Sequence, residues 1–266
     1  MSGFDKTWLT LREPVDARSR DRSLLAAAIE VIGTAAGDTI LDIGCGTGSI
    51  FRMLSPGMKK LKMARQIRWR LLDDDRQLLE EAQRRHGDDV ELVQGDLDRL
   101  ETLPMADVGL VTASALFDLC SEHFIDRFAT LISSAGIGLY ATLTYDGRMD
   151  WSKSHPLDKA VVGSFNAHQQ SDKGFGLALG PKAWEMLERA LRKEGYAVRV
   201  AESPWVLSAA DGDLQRLFIE GIIRAVREYG QLDETEICEW TDFRYRMVGR
   251  ENSLCRVGHQ DILAFR

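Results

Sequence analysis

Thr39-Ile-Leu-Asp-Ile-Gly-Cys-Gly-Thr-Gly48 is the stretch on which the fold turns. Its first five residues are β-branched or aliphatic around one acid, Asp42. Because the apolar run does not alternate, it has the pattern of a parallel strand covered on both faces. The run stops at Gly44, and glycine recurs at 46 and 48 before a helix opens near Ser49. Without Cβ atoms a ligand can approach the main chain, and glycine tolerates the positive φ of a tight strand-to-helix turn. A flat, polar, nucleoside-bearing ligand fits such a loop, so Asp42, Gly44, Cys45, Gly46 and Gly48 are the first candidate contacts. The competing reading is a glycine-rich turn that holds nothing; strand, acid and helix together weigh against it.

Working outward, a second strand over Arg68 to Leu72 ends in Asp73-Asp74-Asp75, ahead of a helix from Arg76 to His86. Asp75 suits the N-cap, which leaves Asp73 and Asp74 to accept hydrogen bonds from a ribose. A third strand, Val90 to Val93, leads to Asp96 and Leu97, an acceptor for the exocyclic amine of adenine and an apolar wall beside it. A fourth, Asp107 to Thr112, runs into Ala113-Ser114, and a fifth spans Ile137 to Leu143 before Thr144-Tyr145-Asp-Gly147. Strand and helix alternate over residues 39–145, the pattern of an α/β, doubly wound, mostly parallel sheet of Rossmann-like type. Ligands of such sheets lie beyond the carboxyl ends of the strands, where Asp73, Asp96, Thr112, Ser114 and Tyr145 all fall.

At 266 residues the chain reads as one domain, 1–266. Residues 1–36 form an N-terminal helical arm in which Arg12 or Arg18 is placed to meet a ligand carboxylate. The helix after the glycine loop is expected to stop at Ser55-Pro-Gly57, and the basic run from Lys59 through Lys60, Lys62 and Arg65 to Arg70 reads as solvated loop and strand edge. The polar stretch within 147–180 follows Tyr145 directly and reads as a lid or acceptor pocket, which makes Tyr145 and His168 the candidates to take a proton from an acceptor. Beyond it come a helix over Pro181 to Lys193, an edge strand over Tyr196 to Leu207, helices over Leu214 to Tyr229 and Glu234 to Val248, and a last strand over Leu254 to Phe265. A net charge of −7 offers no general attraction to nucleic acid or to an anionic membrane surface. Scattered Cys45, Cys120, Cys238 and Cys255 indicate neither a disulfide framework nor a metal site. With no apolar leader or membrane-length apolar run, the expected setting is the cytoplasm and the expected partner a small molecule.

Leu41-Asp-Ile-Gly-Cys-Gly-Thr-Gly48 closely resembles the first motif of the class I methyltransferases that use S-adenosylmethionine. Leu72-Asp73, Gly95-Asp96-Leu97 and Asp107 to Thr112 extend the resemblance over roughly residues 20 to 145. It implies a seven-stranded sheet whose final strand, Leu254 to Phe265, runs antiparallel beside the fifth, with the strand after Tyr196 at the edge. It also implies that Gly44, Gly46 and Gly48 border the methionine and ribose parts of S-adenosylmethionine, that Asp73 holds the ribose and that Asp96 and Leu97 hold adenine. Thr112-Ala-Ser-Ala stands where enzymes that methylate exocyclic or amide nitrogens carry Asn/Asp-Pro-Pro-Tyr/Phe, which disfavours a DNA base or a glutamine amide. The expected reaction is O- or N-methylation of a small polar metabolite. The rivals are a nicotinamide-dependent oxidoreductase, whose Gly-x-Gly-x-x-Gly spacing Gly48 misses by one residue, and a non-catalytic cofactor-binding module.

Overall fold

The computed structural model describes residues 6–60 and 66–266, with the side chain of Lys60 outside that description. Lys62 and Arg65 of the basic run, and the first five residues of the arm, therefore lie outside the described residues.

Strand β1 (Thr39–Ile43) pairs in parallel with β2 (Arg68–Asp73) on one side and with β4 (Val108–Ser114) on the other. β3 (Glu91–Gln94) adds to β2 and β5 (Gly138–Trp151) to β4, both parallel. β8 (Cys255–Phe265) then runs antiparallel between β5 and β6 (Ala197–Glu202), and the short β7 (Trp205–Leu207) also pairs with β8. The resulting order, β3-β2-β1-β4-β5-β8-β6, is that of the resemblance, with the last strand inserted beside the fifth and β6 at the edge.

All five residues of β1 are buried, and its successive side chains enter different cores. Ile40 packs with Leu24, Ile29 and Ile32 of α2 (Arg22–Thr34) and with Ile50 and Leu54 of α3 (Ser49–Lys60). Leu41 packs with Phe124 and Phe128 of α5 (Glu122–Ser134) and with Leu187 and Leu191 of α7 (Ala183–Lys193). Alternating side chains meeting two apolar layers is why the run does not alternate between apolar and polar residues, Asp42 being its one charged member. α4 (Arg76–His86) follows β2, and Asp75 caps it as the sequence implies, accepting from the amides of Gln77 and Leu78.

A third core lies where β5 continues past the parallel sheet. There Tyr145 and Met149 meet α1 (Lys6–Ser19), α6 (Asp158–His168), α8 (Gly212–Tyr229) and α9 (Glu234–Met247) through Val15, Val161, Ile219 and Trp240. Arg244 of α9 is only 1 % exposed. Its guanidinium lies 4.2 Å from the Trp151 ring centroid and donates to Asp158 and to the Lys153 carbonyl, so the buried charge is paired, while its Nε is enclosed without a hydrogen-bond partner.

Several expectations need correction. α3 does not stop at Ser55-Pro-Gly57 but runs to Lys60 with Pro56 inside it. Met58 reaches the core, and Gly57 lies so close to α2 that a Cβ there would stand 2.8 Å from Ile29 Cδ1; tertiary packing outweighs the local breaker. β5 extends to Trp151 because its second half pairs with β8 across irregularities near Leu143 and Gly147, both at positive φ. The segment 147–180 is accordingly not a single irregular lid. Its start belongs to β5 and its middle is α6, which leaves the short connection 152–157 and a strap over residues 169–179. The strand expected over Tyr196 to Leu207 is two strands, broken at Ser203-Pro204. Of the basic run, Arg68 pairs with Asp38 at 2.6 Å and Arg70 with Glu91 at 2.9 Å, a structural use of both charges. No described helix is long and apolar enough to cross a membrane.

Candidate functional site

The glycine loop leaves β1 with φ of +61° at Gly44, +54° at Gly46 and +81° at Gly48, a run that other residues adopt only with strain. Gly48 also has no space for a side chain, since a Cβ would lie 2.9 Å from Nε2 of His86 and 3.1 Å from Cδ1 of Leu71. The loop is tied to β2 twice. The Cys45 amide donates to the Leu72 carbonyl at 3.1 Å. The Gly46 amide donates to Asp73 Oδ2 at 2.7 Å. Asp73 Oδ1 accepts from the Asp75 amide at 3.0 Å. A carboxylate has about four acceptor positions, so Asp73 retains capacity for the hydroxyls of a ribose after bracing the loop. Burial, acting first, raises its carboxyl above the ordinary range against those two amide hydrogen bonds.

Beneath the loop, Asp42 is 1 % exposed. Its Oδ1 accepts from the Thr112 hydroxyl at 2.8 Å, while Oδ2 is enclosed without a hydrogen-bond partner. Burial pushes this carboxyl up to about 7, against the Thr112 hydrogen bond and the positive charge of Arg20. Asp42 faces a recess of about 60 Å³ shared with Gly44, Cys45, Gly46 and Arg12. A buried carboxylate oxygen without a donor carries a desolvation penalty that a cationic or N–H donor group would offset.

The recess adjoins a cavity of about 180 Å³ whose walls include Gly44, Gly46, Asp73, Asp74, Asp96, Leu97 and Ser114. Leu9 and Arg12 of α1 border it, as do Leu116 and Leu119 after β4 and Lys173 to Phe175 of the strap. Asp96 Oδ1 accepts from the Asp98 amide at 3.0 Å, which orients the carboxylate on its turn, and Leu97 is buried in the wall. The structure thus gathers Gly44, Gly46, Asp73, Asp74, Asp96, Leu97 and Ser114 around one cavity and Asp42 and Cys45 around its annex. Gly48 and Thr112 serve from behind, in the turn and on Asp42.

Three expected residues are not brought there. Arg18 points to the far end of α1, where it donates to Asp211 Oδ2 at 2.7 Å and to the Val206 carbonyl. Of the arm's two candidate arginines it is Arg12 that reaches the cavity, held by Asp16 at 2.8 Å and lying 5.2 Å from the Trp205 ring centroid. Tyr145 is buried in the third core, its hydroxyl donating to Asn166 Oδ1 at 2.7 Å, and burial raises its phenol far above the ordinary value. His168 ends α6 with Nε2 2.8 Å from Glu228 and Nδ1 3.4 Å from the Lys173 ammonium. Neither borders the cavity.

Sequence reasoning missed Arg20 and undervalued Lys173. Arg20 is 4 % exposed and donates to the hydroxyls of Ser114 at 3.0 Å, Thr142 at 3.3 Å and Ser49 at 3.4 Å. It links the arm to the end of β4, to β5 at Thr142 and to the start of α3. Nothing in Arg18-Ser-Arg-Asp-Arg22 marks Arg20 as the buried arginine until the break between α1 and α2 is known.

Strand order and glycine cleft define a Rossmann-like nucleoside-cofactor fold with the antiparallel insertion of the methyltransferases. Residues 40–136 match the methyltransferase domain family. The chain therefore carries a class I methyltransferase domain, the class whose methyl donor is S-adenosylmethionine. No curated protein matches the chain. Among solved structures, the YcgJ protein from Bacillus subtilis is 13 % identical with a TM-score of 0.50, covering 92 % of this chain and 99 % of that one. The cyclopropane synthase MmaA2 from Mycobacterium tuberculosis is 15 % identical with a TM-score of 0.51, covering 98 % and 94 %. A cyclopropane-fatty-acyl-phospholipid synthase-like protein from Lactobacillus casei is 14 % identical with a TM-score of 0.51, covering 96 % and 92 %. At these identities the likeness is one of fold.

Proposed function

We propose that the protein transfers the methyl group of S-adenosylmethionine to an oxygen or nitrogen of a small polar metabolite. The observation that carries this reading is Asp42, whose Oδ2 is enclosed without a partner, bordering a recess that the glycine-loop residues also line, next to a cavity bordered by α1 and the strap. The residues present fit the cofactor. Asp42 would take the amino group of its methionine part, Gly44 and Gly46 would lie under the chain joining sulfur to ribose, Asp73 would take the ribose hydroxyls, and Asp96 with Leu97 would hold adenine. The cofactor supplies a sulfonium methyl already activated for displacement, so the protein's tasks are to align the acceptor lone pair and to exclude water. α1 and the strap are placed to do both, with apolar walls from Leu9, Leu116, Leu119 and Phe175. Neither Tyr145 nor His168 is placed to take the acceptor's proton. The nicotinamide rival is disfavoured by the glycine spacing.

Asp42 makes the cofactor's affinity depend on pH. Its folded carboxyl titrates near 7, above the ordinary carboxylate value, so it is protonated in the free protein at pH 5 and must ionise to pair with an ammonium. The sign follows: S-adenosylhomocysteine binding strengthens as pH rises, by roughly tenfold per unit between pH 5 and 6.5, and levels above 7. Calorimetric titrations across that range check it, and Asp42→Asn is expected to bind weakly with the slope removed.

The acceptor class is tested with methyl-tritiated S-adenosylmethionine offered together with separated low-molecular-weight, protein and RNA fractions of a bacterial lysate. Label in the low-molecular-weight fraction supports the reading. Label confined to protein or RNA overturns the acceptor class, and no transfer to any fraction favours the non-catalytic module.

A further inference from the structure

The two cations at the edge of the cavity differ in one respect. Arg12 is compensated by Asp16, at 2.8 Å. Lys173 is half-buried and, among the described residues, has no carboxylate within ion-pair distance; its polar neighbour is the Nδ1 of His168, 3.4 Å away. The carboxylate whose charge acts on it is Glu228, which is hydrogen-bonded to the other nitrogen of the same imidazole. Asp73, Asp74 and Asp96 border the same cavity, and none of them is within ion-pair distance of Lys173. Desolvation lowers its ammonium below the ordinary lysine value. Partial burial of an unpaired ammonium carries a desolvation penalty that an anion in the cavity would offset.

The lysine is also positioned rather than loose. Bridges between Cys120 and Phe175 and between Asp172 and Leu177 anchor the strap. The Gly174 amide donates to Asp172 Oδ1 at 2.8 Å and the Leu179 amide to the Cys120 carbonyl at 2.9 Å. Phe175 meets Phe124 edge-on at 5.2 Å. The cofactor carries one carboxylate. Arg12, which borders both the Asp42 recess and the cavity, is the cation on the methionine side, whereas Lys173 borders the cavity alone.

We infer that the methyl acceptor carries a carboxylate or phosphate group, which Lys173 reads, with His168 and Glu228 positioning the ammonium from behind. This rests on the methyltransferase reading above. It makes Lys173 a specificity-determining residue and gives His168 a role through Lys173 rather than on the reacting atoms.

The test is calorimetric titration of the protein, loaded with S-adenosylhomocysteine and also unloaded, with inorganic phosphate and with succinate as minimal anions. Wild-type protein is expected to bind one of them in the millimolar range; the two probes distinguish a phosphate from a carboxylate source. Lys173→Met is expected to weaken that binding at least tenfold while S-adenosylhomocysteine affinity stays within twofold, and Lys173→Arg to retain most of it. Equal anion binding by wild type and Lys173→Met, or no anion binding by wild type, overturns the inference. A tenfold loss of S-adenosylhomocysteine affinity in Lys173→Met also overturns it, by assigning the lysine to the cofactor. Failure of the methyltransferase reading is separately visible as absence of S-adenosylhomocysteine binding to wild type, in which case the unloaded titration still judges the lysine.

Discussion

Asp73→Ala is expected to weaken S-adenosylhomocysteine binding by roughly 30- to 150-fold, about 2–3 kcal/mol. The effect has two sources. The carboxylate accepts the amides of Gly46 and Asp75, so its removal leaves the glycine loop without its brace to β2 and the Gly46 amide without an acceptor. It also removes the acceptors proposed for the ribose hydroxyls, a pair of charge-assisted hydrogen bonds. Asp73→Asn keeps one acceptor oxygen and is expected to fall between. Asp74→Ala, whose carboxylate makes neither amide contact, is expected to lose less than Asp73→Ala. Calorimetry on the three variants gives the order; an Asp73→Ala protein that binds within threefold of wild type contradicts the assignment of this acid.

The largest stability effect is expected at Asp261, fully buried in β8. Its Oδ1 accepts from the Leu143 amide at 2.9 Å and the Ser203 hydroxyl at 2.6 Å, and its Oδ2 from the Asp21 amide at 2.8 Å. Three features converge on this carboxylate: the irregularity in β5, where Leu143 has φ +56°, the break between β6 and β7, and the start of α2. Asp261→Ala leaves three donors unsatisfied, a cost of about 3–5 kcal/mol, which for a chain of this size lowers the melting temperature by roughly 5–9 °C. Asp261→Asn preserves an acceptor for Leu143 and Ser203 but turns an amide donor toward Asp21, and is expected to recover part of the loss. Because Asp21 adjoins Arg20, which donates to Ser114 and Ser49 at the cleft, the asparagine variant is also expected to bind the cofactor more weakly. Thermal unfolding of both variants measures the first effect; a fall of less than 3 °C in Asp261→Ala contradicts it.

The parallel core and the glycine-loop side of the cavity were legible because their signals are local. β1 and the loop after it combine an unbroken apolar run with glycines at fixed offsets, and Asp75 precedes the period of α4 as an N-cap should. Asp73, Asp96 and Leu97 are placed at strand ends by that same periodicity, which is how a doubly wound sheet presents its ligand edge. What was not legible depends on partners distant in sequence. Pro56-Gly57 reads as a stop until Gly57 is seen against Ile29. Asp146-Gly147 reads as a turn until the remainder of β5 is seen pairing with Cys255 to Val257. The arm offers Arg12, Arg18 and Arg20 in one polar stretch, and only the phase of α1 and its end at Ser19 send them to Asp16, Asp211 and Ser114 respectively. In the sequence Tyr145 reads as a strand-end residue like those that border the cavity, but its side chain packs in the third core, a layer that includes α6, α8 and α9 and that the parallel-sheet pattern does not anticipate. His168 lies in the expected insertion, yet α6 carries it to Glu228 and not to the cavity wall.

The account rests on the glycine cleft being a receptor for S-adenosylmethionine and its product, and the measurement that tests this most directly is calorimetric titration of the wild-type protein with S-adenosylhomocysteine and, separately, with NADPH. Micromolar S-adenosylhomocysteine binding at one site per chain, with no heat from NADPH, is the predicted result. NADPH binding without S-adenosylhomocysteine binding would contradict it and make the cleft a nicotinamide site.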